Sequence, residues 1–170
     1  MTEPKEFDVD AWLNDAERPA RSVTVYQKAG LIAELDALAA QIENAEGEEV
    51  DGPSMGGGVG TLRAKYADLA RKFHESALTV KVQSLTNQEQ ADLLKANEGG
   101  DQVDRGAVVL AEAIVSPKMT PAQVKRFNAV LGDAQFSRIM DAWHSACREA
   151  PEVSADFLPK RSTPGDGGES

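Results

Sequence analysis

Apolar and polar residues alternate with a period of two in two short stretches of this chain and recur with a helical period almost everywhere else. In RSVTVYQ, residues 21–27, Val23 and Val25 alternate with Thr24 and Tyr26. In ALTVKVQS, residues 77–84, Leu78, Val80 and Val82 share one side while Thr79, Lys81 and Gln83 share the other. Strand side chains point alternately to opposite faces, so each stretch predicts a half-buried β-strand. Between them the period changes. Leu31, Leu35, Leu38 and Ile42 are spaced 4, 3, 4, and Leu62, Tyr66, Leu69 and Phe73 repeat that spacing. Each set makes one stripe along a helix. Two such helices predict an antiparallel hairpin, and the strands entering and leaving its base are expected to pair antiparallel. The result is a strand–helix–helix–strand unit over residues 21–85, with a Gly-rich link at 46–60. Two strands alone are marginal, so the unit is expected to lean on helices or a partner chain.

The flanking segments read mostly as helix. Residues 1–20 form an acidic arm in which DAWLND, residues 10–15, allows one helical turn capped by Asp10. Thr86 followed by Glu89 matches a capping box and opens a helix to about Asn97. Residues 104–115, DRGAVVLAEAIV, predict a buried helix, although their β-branched residues leave a strand reading open. Thr120, Pro121 and Gln123 occupy the N-cap, N1 and N3 positions of a further helix with Val124, Phe127 and Leu131 inward and Gly132 just past its end. Asp133 is expected to cap the last helix, whose inner face holds Phe136, Ile139, Met140, Trp143 and Cys147. Residues 86–150 thus predict a helical bundle. Residues 151–170 predict a flexible tail, disordered from 159 onward, because Pro, Gly, Ser and charge dominate there. The fold class expected is mainly α with a small β component.

Charge narrows the partners. The net charge is −10, and residues 1–60 alone carry 4 basic and 13 acidic side chains. Proteins that neutralise phosphates concentrate Lys and Arg, so neither nucleic acid nor an anionic membrane surface is expected as a partner. No apolar run approaches the ~20 residues that cross a bilayer, and the N-terminus lacks a secretory apolar region. The single cysteine, Cys147, cannot form an internal disulfide and fits a reducing cytoplasm.

Three stretches raise the question of chemistry. MGGGVGT, residues 55–61, resembles a phosphate-cradling loop, but a P-loop needs a lysine after its last glycine, and Thr61 stands there. A dinucleotide fingerprint needs a glycine where Thr61 is, and both motifs follow a strand rather than a helix. Glu46, Glu48, Glu49 and Asp51 would also repel phosphate. A flexible joint between helices is the reading these glycines support. His144 and Cys147 have a spacing suited to two metal ligands, yet zinc sites want three or four, and Cys147 falls on the apolar stripe. Asp8 with Asp10, and Glu48 with Glu49, fall in expected loops, where solvated charge is the ordinary role. No catalytic, cofactor-binding or metal-binding residue is therefore expected. Phe127, Phe136, Met140 and Trp143 have two readings. They either pack the last two helices together or line a groove for an amphipathic partner helix. A helix-turn-helix over 120–150 would have a poor recognition helix, with only Arg138 and Arg148 basic and Asp141 between them.

The segments AWLNDAERPARSVTVYQKAGLIAELDALAAQI, LRAKYADLARKFHESALTVKVQSLTNQEQADL and VSPKMTPAQVKRFNAVLGDAQFSRIMDAW, with a Gly/Glu-rich break after the first, resemble the tail assembly chaperones of long-tailed (siphovirus-type) phages infecting actinobacteria. The resemblance spans about residues 7 to 150 and rests on segment order and on phrases such as RSVTVYQ and SPKMTPAQV. It implies a non-enzymatic role in tail morphogenesis. The implied partners are the long helical tape-measure protein and the major tail tube protein; apart from the resemblance, the two strands could pair with a second chain, which leaves a homo-oligomer open. It also implies residence in the host cell cytoplasm, absence from the mature virion and, for many members, a longer frameshifted form. It supplies no active site to carry over. The alternative in a different class is a structural virion protein, such as a minor tail or head–tail connector component. A small nucleotide-binding hydrolase and a DNA-binding regulator have less support in these residues.

Overall fold

The computed structural model describes residues 6–49 and 58–152. Among these the chain is mainly α with a small β component, as the periodicities predict. The elements in order are α1 (Val9–Asn14), β1 (Ala20–Tyr26), α2 (Leu31–Glu49), α3 (Gly58–Glu75), β2 (Ala77–Gln83), α4 (Asn87–Ala96), α5 (Gln102–Ala113), β3 (Ile114–Ser116), α6 (Pro121–Leu131) and α7 (Asp133–Arg148). The strand–helical hairpin–strand unit is present, and its strands pair antiparallel with Val23 opposite Val80 and Val25 opposite Leu78.

A third strand completes the sheet in the order β1-β2-β3. It comes from the end of the 104–115 segment, whose residues suit both helix and strand. α5 runs to Ala113, and Ile114 then turns extended, with φ −74° and ψ 116°. Ser116 precedes Pro117, which disfavours helix in the residue before it. The Lys118 ammonium donates to the carbonyls of Ala111 at 3.0 Å and Ile114 at 3.3 Å, satisfying groups that the helix end leaves free. β3 then pairs Ser116 with Lys81 and Ile114 with Val82 on β2. The sheet therefore joins residues on both sides of the boundary expected near residue 85.

The sheet has one buried and one wet face. Val25, Val80 and Val82 face the helices, while Ser22, Lys81 and Thr79 are exposed on the other side. The core continues through Ala107, Val109, Leu110 and Ala113 of α5, Ile114, Val124 of α6, and Ile139 and Trp143 of α7. α7 lies across β1 and β2, and α5 packs on α6. Both capping boxes form as expected. The Thr86 hydroxyl accepts from the Glu89 N–H while the Glu89 carboxylate accepts from the Thr86 N–H, and Thr120 with Gln123 do the same.

Three helix starts differ from expectation. α1 is capped by Asp8, which accepts from the Ala11 N–H at 3.0 Å, and Asp10 lies inside the first turn. α5 starts before residue 104, with Asp101 as its cap. Asp133 does not cap α7; Gly132 holds the N-cap position at φ 82°, with no side-chain cap bond, and Asp133 is the first helical residue. At that φ a side chain would be strained, so glycine provides the bend between α6 and α7. The joint expected over 46–60 is shorter than that range, since α2 runs to Glu49 and α3 begins at Gly58. Gly58 to Thr61 form the first turn of α3, and residues 55–57 of the glycine-rich stretch lie outside the described residues, as do 153–170.

Candidate protein-docking groove

The hairpin stands apart from the core. The seam between α2 and α3 is the one substantial interface either helix makes among the described residues. Leu35 and Leu38 are its buried side chains, and neither belongs to the main core cluster. α2 extends for about 28 Å at 1.5 Å per residue, so most of the pair is held by its own stripe. The charges oppose: the described acidic side chains of α2 include Glu34, Asp36, Glu43 and Glu46, while α3 carries Arg63, Lys65, Arg71 and Lys72. Arg63 bridges to Glu46 across the seam. Asp68 receives Arg71 at 2.7 Å and Lys72 at 2.8 Å, and these bonds, that from Lys72 foremost, hold its carboxyl below the usual range. At the base, Tyr26 of β1 stacks on Phe73 of α3 with centroids 4.2 Å apart.

Beside that base the body opens into a groove of about 570 Å³. Its floor is Val25, which is fully buried, and its walls are Leu78 of β2, Pro117 and Met119 of the loop after β3, and Phe127, Val130 and Leu131 of α6. Leu78 and Val130 are 37% and 69% exposed, so this apolar lining is open to water. Gln27, Ser76, Gln123, Lys118 and Arg126 complete the rim. No carboxylate lies among the described residues that line it, although the chain as a whole carries −10.

The four candidate docking residues separate. Phe127 lines the groove. Trp143 is 8% exposed and part of the core, which favours the packing reading for it. Phe136 and Met140 are partly buried against that core and lie outside the groove lining. The continuous stripe on α7 is spent mainly on the sheet. His144 is exposed and lies against the Trp143 ring with centroids 5.3 Å apart, while Cys147 packs against the core. Among the described residues no group of three His, Cys, Asp or Glu side chains comes together, and no helix is long and apolar enough to cross a membrane.

The Gln135 amide reaches from the first turn of α7 to the free edge of β1. Its Oε1 accepts from the Tyr26 N–H at 2.7 Å, and its Nε2 donates to the Tyr26 carbonyl at 3.0 Å. A side-chain amide here occupies backbone groups that another strand would otherwise use. Nothing in the spacing of a polar helix residue announces such a role.

No family model, curated protein or solved structure matches this chain.

Proposed function

We propose that this protein is a tail assembly chaperone of a long-tailed phage, a non-catalytic protein that holds amphipathic helices of the tape-measure protein while the tail tube forms around them. The observation that carries the reading is the open groove between β2 and α6. Its apolar floor and walls suit the buried stripe of one helix, with Arg126 placed for a carboxylate flanking that stripe. The projecting hairpin supports it. Ile32 and Tyr66 are exposed on a pair of helices whose main interface among the described residues is with each other, and a client helix laid beside them would make a three-helix bundle. The net charge of −10 would keep chaperone–client complexes apart by mutual repulsion. In this reading the major tail tube protein is a further partner, and the protein works in the host cytoplasm and leaves before the particle matures.

The test is co-purification. Tagged protein co-expressed with the tape-measure protein of the same phage should retain it in soluble form. Retention no greater than that of an unrelated coiled coil would contradict the proposal. Stoichiometric amounts of the chain in purified particles would favour a structural virion component instead.

A further inference from the structure

The segment before β1 presents an apolar face with nothing packed on it. Phe7, Val9, Trp12 and Leu13 are each more than half exposed, and α1 contains no buried residue. The local geometry is nevertheless organised. With Asp8 as N-cap, Phe7 and Trp12 take the N′ and N4 positions of a hydrophobic staple, and Val9 and Leu13 extend the same side. A six-residue helix gains little stability alone, so an ordered apolar face of this kind calls for a surface to rest on. Every charged residue from 6 to 15 is acidic: Glu6, Asp8, Asp10 and Asp15.

We propose that α1 of one copy docks in the groove of a second copy, with Trp12 and Leu13 over Leu78, Phe127 and Val130 and its carboxylates toward Arg126. The inference rests on reading the groove as a helix-docking site. Charge selects this occupant, because an acidic segment meets the Arg126 guanidinium on a lining with no carboxylate among its described residues, while Lys118 is held by the α5 carbonyls and by Glu112.

Reach selects the second copy over the same chain. The Pro19 carbonyl accepts from the Ser84 N–H at 2.9 Å, which pins the start of β1 at the end of the sheet away from the groove. The Arg18 guanidinium adds two bonds to the Glu89 carboxylate, at 2.7 and 2.8 Å. From Pro19 to Val25 the strand rises about 20 Å. The linker from Asn14 to Pro19 spans at most about 17 Å when fully extended, before any allowance for reversing direction. Two copies related by a twofold axis can exchange arms reciprocally, which closes the assembly at a dimer with two identical contacts.

Sedimentation velocity of the full chain over a range of concentrations tests this. Trp12→Ala alters an exposed residue of a helix without buried positions, and Val130→Asp alters an exposed residue of α6, so both variants should keep the wild-type circular dichroism, and their melting temperature should match that of the wild type diluted to its monomer. The wild type should form a reversible dimer, and each variant should weaken association by at least about tenfold. Mixing the two variants leaves one intact arm facing one intact groove. Hetero-association should therefore return at concentrations where each variant alone is monomeric. A wild type that stays monomeric into the high-micromolar range, or a dimer indifferent to both substitutions, would overturn the inference. Either result would leave client binding, read separately by co-purification, to stand or fall independently.

Discussion

Replacing Leu38 by Ala should open the helical hairpin and leave the sheet intact. Leu38 is 5% exposed, and with Leu35 it makes up the buried part of the α2–α3 seam. Leu→Ala in a protein core costs about 2–5 kcal/mol. The seam is one layer deep and bordered by water, so it can relax, and the low end, about 2 kcal/mol, is expected. That corresponds to about a thirtyfold rise in the open population, since 1.4 kcal/mol is a factor of ten. Two short helices with one mutual interface have little stability in reserve, so the loss should appear as local opening. Hydrogen exchange resolved by residue is the assay. Amides of α2 and α3 should exchange about thirtyfold faster, while those of Val80 and Val82 in the central strand should keep their protection. Ile139→Ala is the contrast. Ile139 is 1% exposed in the main core, and its loss should lower protection in the sheet. Equal loss in the sheet for Leu38→Ala, or no change in the hairpin, would refute the view that the arm is an energetically separate unit.

Thr120→Ala removes the acceptor for the Gln123 N–H and should lower stability by about 0.5–2 kcal/mol in urea melts with an unchanged slope. The Thr86 N–H, followed by the Arg18 guanidinium, holds the Glu89 carboxyl below the usual glutamate range. Its folded value is thus below its unfolded one, so its contribution is complete above the unfolded value and fades as pH falls through the folded one. Carboxyl titration by NMR should place Glu89 below the exposed glutamates. Glu89→Gln, which can keep the capping bond but not the ion pair, should flatten that part of the acid stability profile. Gln135→Ala should speed exchange of the Tyr26 amide and spare Val25, whose strand bonds face β2; unchanged exchange at Tyr26 would show that the amide clasp is weak in solution.

The local rules were legible wherever a few neighbouring residues decide the outcome. Alternation fixes the faces of β1 and β2, and the Thr86 and Thr120 capping boxes depend on residues three apart. The stripes of α2 and α3 name their own seam. What could not be read depends on distant chain. β3 is three residues long and becomes a strand because β2 offers an unpaired edge beside Ile114. Asp133 has the right chemistry for a cap, but the bend at Gly132 takes that position. The aromatic stripe of α7 shows which side faces inward, yet not that the sheet already covers most of it. Only Phe127 of the four candidates lines the groove, because the groove is assembled from β1, β2, the loop after β3 and α6. No single stretch carries its pattern.

Calorimetric titration of a tape-measure helix into the wild type and into Leu78→Asp, an exposed wall of the groove, tests the central claim most directly. The account predicts saturable binding by the wild type, a negative heat-capacity change from apolar burial, and at least about tenfold weaker binding by the variant with its melting temperature preserved. Equal affinity for the two proteins, or no binding by the wild type, would contradict it.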